Sequence, residues 1–280
     1  MGLTTRSSSL VPILALTLVL LPAVPARAAE AAPYSGLLAH ADALVTVKFV
    51  LDVKMPGMAA DREVESETTC LLIDAEGLVL CSNTELGGYV ALMSRMAGGG
   101  DFNVSATPTE IKVEIGEATE GLAATLLVRD SDRDLAWLRI TAELAEPLPF
   151  LDLARGAELG VGDVFYRLRR MDKFFGRAPL VEEGVVAAVT EKPRKLLVPS
   201  PATGSGSGLP VLTADGRVVG VTVVQMPNLE DAAGLTQGGM GFLGAAARMQ
   251  DMVGGLILPV ADVVKATRLA RETAAEDGGE

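Results

Sequence analysis

Apolar and polar positions alternate, with β-branched residues frequent, along twelve short stretches: 43–53, 64–73, 78–82, 110–115, 122–129 and 135–140, then 163–168, 181–189, 195–199, 209–213, 217–224 and 255–258. A period of two marks a strand with one buried face. Turns rich in Gly, Pro or Asp separate most of the stretches, and residues 141–160 divide them into two sets of six. Regular short strands with few helices predict an all-β barrel or sandwich architecture. The clearest helix comes last. Between Pro259 and Glu276, the residues Val260, Val263, Val264, Ala266, Leu269 and Ala270 fall on overlapping helical faces, with Lys265, Arg268 and Arg271 between them. It is expected to pack on the second set of strands. Two segments interrupt the pattern: 91–109, with Met93, Met96, Gly98-Gly99-Gly100 and Pro108, and 226–254, with Met226, Met240, Met249 and Met252. Such loops are either lids over a cleft or insertions whose methionines plug gaps.

Residues 1–28 stand outside this pattern. Arg6 precedes a run from Leu10 to Leu21 that is apolar apart from Thr17, and Pro22, Pro25 and Ala26-Arg27-Ala28 follow. This is the order of a secretory signal, with cleavage expected after Ala28. The apolar run is short of the roughly 20 residues that span a bilayer, so no membrane span is expected after cleavage; a retained anchor is the alternative. No Cys follows the run, which speaks against a lipid-anchored form. The destination is periplasmic or extracellular. Residues 29–42 form an N-terminal segment, 43–150 and 151–276 the two strand domains, and 277–280 an acidic tail.

Lys and Arg total 24 against 36 Asp and Glu, a net charge of -12. Losing Arg6 and Arg27 with the leader makes the mature chain more acidic still. Neutralising phosphates needs clustered basic residues, so nucleic-acid binding is excluded. Hydrophobic residues make up 49% of the chain, enough to build one large core or two small ones. One His and two Cys supply too few soft ligands for a four-ligand zinc site, and no cofactor is expected. Glu114, Glu117 and Glu120 form no metal pattern and are expected to face water at a strand end and turn. Arg167, Arg169, Arg170 and Lys173 make a small basic patch, read as a solvated loop balanced by Asp172, Glu182 and Glu183, the alternative being a site for an acidic peptide or an anionic envelope polymer.

Cys70 and Cys81 flank Asp74-Ala75-Glu76-Gly77, which reads as a hairpin turn ending in Gly. If Asp74 faces Gly77, the two cysteines sit directly opposite, at a Cα separation of about 4.5–5.5 Å that a disulfide spans. A bridge is expected in an exported chain, buried free thiols being the alternative.

Three segments resemble HtrA-type (Deg) trypsin-like serine proteases. Ser205-Gly206-Ser207-Gly208-Leu209-Pro210-Val211, followed by the hairpin through Ala214-Asp215-Gly216 to Val221, is similar to the family's Gly-Asn-Ser-Gly-Gly-Pro-Leu nucleophile loop, with Ser207 as the serine. Asp130 to Ile140 resembles the Asp-x-x-x-Asp-Leu-Ala-Val-Leu-Lys-Ile signature and sets Asp134 at the triad aspartate. Leu80-Cys81-Ser82-Asn83-Thr84-Glu85-Leu86 is similar to the stretch that carries the catalytic histidine, and Thr84 stands in its place. The resemblance runs from about Leu44 to Ala270. It implies two six-stranded β-barrels of trypsin-like fold with a C-terminal α-helix, and any active site in the cleft between them. The oxyanion hole it implies would use the backbone N–H groups of Ser205 and Ser207, with Gly206 between. Leu209 stands where the family has a glycine, and Leu168 to Asp172 replaces its Gly-Asn-Pro-like loop. As the sequence ends after the helix, the family's usual PDZ domain is expected to be absent.

A serine hydroxyl needs a base to take its proton in the transition state, and threonine cannot do so. Losing the base in a comparable serine protease costs about 10⁶ in kcat. The sole histidine, His40, precedes the first strand, and alternation along a continued strand would turn Glu85 away from Thr84's face. The expected function is therefore an exported, inactive protease homologue that binds a peptide or protein partner in the cleft as a scaffolding or regulatory module. The alternatives are a serine endopeptidase in which Glu85, His40, Lys195 or a partner-supplied group activates Ser207, and an envelope protein whose cleft binds nothing. The sequence leaves the oligomeric state open.

Overall fold

All twelve strands form, at bounds within about two residues of those expected except for β4. They are β1 (Leu44–Lys54), β2 (Arg62–Leu72), β3 (Leu78–Ser82), β4 (Ser105–Ile115), β5 (Leu122–Asp130) and β6 (Leu135–Ile140), then β7 (Val164–Arg170), β8 (Pro179–Thr190), β9 (Leu196–Ser200), β10 (Pro210–Leu212), β11 (Val218–Val223) and β12 (Leu256–Pro259). This computed structural model describes residues 2, 34–54, 62–88, 105–116, 118, 120–201, 206–225 and 255–277. The expected leader apart from Gly2, Glu117, Ser205, residues 89–104 and residues 226–254 lie outside the described residues.

Each half closes into a six-stranded antiparallel barrel with one shared topology. The first runs β1-β2-β3-β6-β5-β4, and the second, in the same sense, β7-β8-β9-β12-β11-β10. β4 corrects the expected loop 91–109, because residues 105–109 extend the strand and Pro108 sits opposite Leu51 of β1. β5 joins β4 only at Lys112 and Val113. The missing N–H of Pro108 therefore breaks no ladder on that side.

Strand alternation feeds three cores. Val45, Val47, Phe49, Cys70, Leu72, Val79, Cys81 and Leu138 point into the first barrel. Phe165, Val186, Leu197, Val211, Val219 and Ile257 fill the second. Their neighbours on the opposite faces, among them Leu71, Leu80, Trp137, Tyr166, Leu168, Leu212 and Leu258, join one core between the barrels. This is why β3 and β11 are buried at every position, where a one-faced strand would show a polar face.

The cysteine hairpin has the expected register. Leu71 pairs with Leu80 and Leu72 with Val79, and Cys70 and Cys81 form a disulfide across a Cα separation of 4.7 Å. The Asp74 carboxylate accepts from the N–H groups of Glu76 and Leu78 and so shapes the turn.

The terminal helix, α2 (Val260–Asp277), packs on β11 and β12 of the second barrel as expected and reaches β5 of the first as well. Trp137 of β6 donates its indole N–H to Thr267 Oγ1 at 3.1 Å, and Arg271 reaches Asp74 at 2.8 Å. A tryptophan buried from the first barrel needs an acceptor for its N–H, and the helix carries it. A short helix the sequence reading missed, α1 (Tyr34–Leu38), buries Leu37 in the inter-barrel core. Its Tyr34 stacks edge-on against Tyr166 at 5.9 Å. Among the described residues no helix is long and apolar enough to cross a membrane.

Candidate functional site

A cleft of about 420 Å³ opens where β1 and β2 meet the β7–β8 connection and the loop before β10. Thr46, Glu67, Glu85, Arg169, Met171, Lys173, Gly206, Ser207 and Leu209 are among its walls. The resemblance put a site between the barrels, and Ser207 lies there, with 6% of its surface exposed.

The serine loop is held by one residue that the sequence reading passed over. Thr222, fully buried in β11, donates its hydroxyl to Gly206 O at 3.0 Å and accepts from Leu209 N–H at 3.0 Å. Its carbonyl takes Gly208 N–H at 2.6 Å, and its N–H goes to Leu209 O at 2.9 Å. A lone threonine within Val218 to Val224 was the available signal. Gly208 has φ +79°, and a Cβ there would lie 2.7 Å from the Ser82 backbone nitrogen. Only glycine permits both that conformation and that approach. Leu209 is buried, and its Cδ1 closes over Gly206. It thereby fills the space above the loop that the glycine of the family pattern would leave open.

Asp134 is 2% exposed and sits at φ +57°, a left-handed conformation that Asp adopts more readily than most residues. Its carboxylate accepts from Ser82 Oγ at 3.0 Å, Thr84 N–H at 2.7 Å and Val224 N–H at 2.9 Å, and the Thr84 hydroxyl adds another bond. Burial pushes the carboxyl above its ordinary range, and these donors pull against that shift. The Val224 bond ties the first barrel to the second. Asp134 thus spends its acceptors on the scaffold and on Thr84, where a triad would present an imidazole N–H.

The structure changes the reading of Glu85. β3 ends at Ser82, and Thr84–Gly88 forms a helical turn closed by Gly87 at φ +94°, so strand alternation does not reach position 85. The glycine pair at 87 and 88, a helix-ending signal, was legible in the sequence. Arg129 holds the turn from behind, donating to Asn83 Oδ1 at 3.0 Å and Leu86 O at 2.9 Å. Glu85 consequently faces the cleft beside Ser207. Its carboxylate, open to water on one side and crowded by the walls on the other, is held above the ordinary range. Desolvation is the main cause and the Asp134 charge the second, while the Ser207 backbone N–H hydrogen-bonds to it and opposes the shift.

The other candidate bases lie elsewhere. His40 packs against Gly216, with Nε2 2.7 Å from where a Cβ would stand, at the far end of the β10–β11 hairpin from Ser207. Lys195 is exposed on the β8–β9 turn and is not part of the cleft wall.

Lys173 is exposed and Glu182 balances the basic residues as expected, but Arg167 and Arg170 are not solvated. Arg167 is 4% exposed and shares Glu182 with Arg169. Arg170 donates to Ala41 O at 2.8 Å and Leu44 O at 3.1 Å, which fastens the second barrel to the start of the first. Asp172 caps the short turn Lys173–Phe175 by accepting from Phe174 N–H. Glu114 is likewise corrected. It is 4% exposed and pairs with Lys48 at 2.6 Å and Arg177 at 3.7 Å, because β4 carries it to the barrel end that meets the β7–β8 connection. Among the described residues no cluster of His, Cys, Asp or Glu could hold a metal.

Comparison with known proteins places this geometry. No curated protein matches the sequence. Among solved structures, the HtrA-type protease AlgW with a decapeptide is 18% identical over 85% of this chain and 67% of that one, with a TM-score of 0.52. Deg5 is 17% identical over 82% of this chain and 90% of that one, with a TM-score of 0.52. The apo protease domain of MamO from Magnetospirillum magneticum is 17% identical over 80% and 95%, with a TM-score of 0.48. The chain spans about two thirds of the AlgW chain it matches, and the likenesses to AlgW and Deg5 establish the two-barrel trypsin-like fold. The trypsin-like peptidase domain family matches residues 68–221, more than half of the sequence. That span runs from the disulfide hairpin through Asp134 and Ser207 into β11, and the chain belongs to the trypsin-like peptidase family.

Proposed function

We propose that this chain is an exported protease homologue whose inter-barrel cleft binds peptide or protein segments without cutting them. The observation that carries the reading is the company Ser207 keeps. The only imidazole of the chain packs on Gly216, Thr84 fills the triad histidine position, and a titratable group that shares the cleft wall with Ser207 is Glu85, which accepts the Ser207 backbone N–H. Acyl transfer needs a base for the hydroxyl proton and free N–H donors for the developing oxyanion. Here the base is missing and one donor already serves a carboxylate. An anion at that donor also repels the negative charge that a tetrahedral intermediate would develop there.

The cleft itself remains, lined with backbone and side-chain polar groups, and a structure of the same fold has been obtained with a decapeptide. The Cys70–Cys81 disulfide suits an oxidising compartment and supports export together with the signal-like residues 1–28.

A second reading has one observation in its favour. Glu85 lies beside Ser207 with its pKa raised, which makes it a stronger base than an ordinary carboxylate, and in that reading it activates the serine. Incubation of the purified chain with unfolded casein and a mixed peptide library, followed by mass spectrometry, separates the two. The binding role predicts intact peptides retained on the protein and no cleavage that Ser207→Ala abolishes. Cleavage that is lost in both Ser207→Ala and Glu85→Gln would establish the hydrolase.

A further inference from the structure

Most charges in the cleft wall are spent within the protein. Arg177 pairs with Glu67 at 2.6 Å and with Glu114 at 3.7 Å, and Arg169 pairs with Glu182 at 2.9 Å. Arg170 gives its guanidinium to the Ala41 and Leu44 carbonyls. Asp172 caps the turn that follows it. Lys173, the remaining cation of the wall, is exposed on the β7–β8 connection. Glu85 enters none of these pairs.

Glu85 is an exposed residue of the cleft wall, and its backbone is anchored by the bond from its own N–H to Ser82 Oγ at 3.3 Å. Among the described residues no cation balances its carboxylate. Crowding by the walls and the Asp134 charge both oppose ionisation, and the group that favours it is the neutral Ser207 N–H. Asp134 is itself buried among neutral donors, from Ser82, Thr84 and Val224. Two carboxylates therefore share the surroundings of Ser207 without a compensating cation. A carboxylate offers roughly four lone-pair sites, so a single N–H leaves Glu85 with acceptors to spare. A cationic group brought to it is attracted by both acids, and a ligand that covers the cleft excludes water and strengthens the attraction.

We propose that Glu85 is a specificity-determining residue of the cleft, taking the ammonium or guanidinium of a Lys or Arg side chain from a bound peptide. The inference rests on the peptide-binding reading given above and adds the class of side chain the cleft selects.

The test uses the purified chain and alanine-based hexapeptides carrying one Lys, Arg or Gln at each position in turn, with fluorescein closing the N-terminus. The small probes N-acetyllysine N-methylamide and N-acetylglutamine N-methylamide run alongside. A chain of charge -12 draws cations weakly over its whole surface, so the reading is the dependence on position. At one position Lys or Arg should bind roughly 5- to 50-fold more tightly than Gln. Glu85→Gln should reduce that ratio to about one, while Glu272→Gln, which removes the same charge from the exposed face of α2, should leave it in place. Equal affinities in the wild type, a preference spread evenly over all positions, or a ratio that survives Glu85→Gln would overturn the proposal and leave the cleft reading standing. Glu85-dependent binding of the small Lys probe with no binding of any hexapeptide would uphold the cation site and defeat the peptide reading. Failure of both probe types would defeat both. If Glu85→Gln does not fold, Glu85→Asp keeps the charge but draws it back by one methylene; a several-fold lower ratio supports the proposal and an unchanged ratio contradicts it.

Discussion

Thr222→Val tests how the serine loop is built. Valine has nearly the shape of threonine and suits a strand, so the change removes a hydroxyl and little else. That hydroxyl donates to Gly206 O and accepts from Leu209 N–H, both at 3.0 Å. Gly206 is half-buried and its carbonyl can turn to water. Leu209 is 4% exposed, so its N–H loses its acceptor with nothing to replace it. An unsatisfied buried donor costs about 1–3 kcal/mol, a substantial share of the roughly 5–15 kcal/mol that stabilises a domain. Urea denaturation of the variant should show that loss as a lower midpoint with an unchanged slope. Peptide affinity should also fall, since the clamp sets the loop that forms one wall of the cleft. A stability change under about 0.5 kcal/mol, within the range of an ordinary surface substitution, would refute the idea that Thr222 holds the loop.

Three further outcomes are expected. Reducing the Cys70–Cys81 bond, or replacing both residues by Ala, should cost about 3 kcal/mol by loop entropy, seen as a reductant-dependent shift of the urea midpoint. Thr267→Val should orphan the Trp137 indole N–H and cost about 1–3 kcal/mol, with faster hydrogen exchange in α2 and in β6, because that bond fastens the helix to the first barrel. Affinity for an uncharged peptide should rise as the pH falls through the raised pKa of Glu85, because the neutral acid releases its hold on the Ser207 N–H. Glu85→Gln should remove that component of the pH profile. In linkage terms the folded chain keeps this proton where the unfolded chain has lost it, so Glu85's contribution to stability is fully present below the ordinary Glu range and declines as the pH rises through the raised native value.

Strands were legible because alternation is local: a period of two survives wherever one face of a strand enters a barrel, and even the cysteine register followed from the turn at Asp74–Gly77. What the sequence hid depends on distant neighbours. Glu114 looks like a solvent-facing charge until β4 brings it to Lys48 and Arg177, and Arg167 until β7 buries it beside Glu182. α2 reads as amphipathic, yet nothing local reports that Trp137, some 130 residues earlier, needs Thr267. Ser207 and Asp134 were recognised through resemblance, and both sit between the barrels. The error at Glu85 came from extending strand alternation past Ser82, although Gly87-Gly88 already marked a turn.

The central claim is that Ser207 has no working base. The most direct measurement is labelling of the purified wild-type chain with a fluorophosphonate probe, followed by mass-spectrometric mapping of the modified residue, with Ser207→Ala alongside. The account predicts no adduct on Ser207 above the background of the variant. Stoichiometric modification of Ser207 that disappears in Ser207→Ala would contradict it.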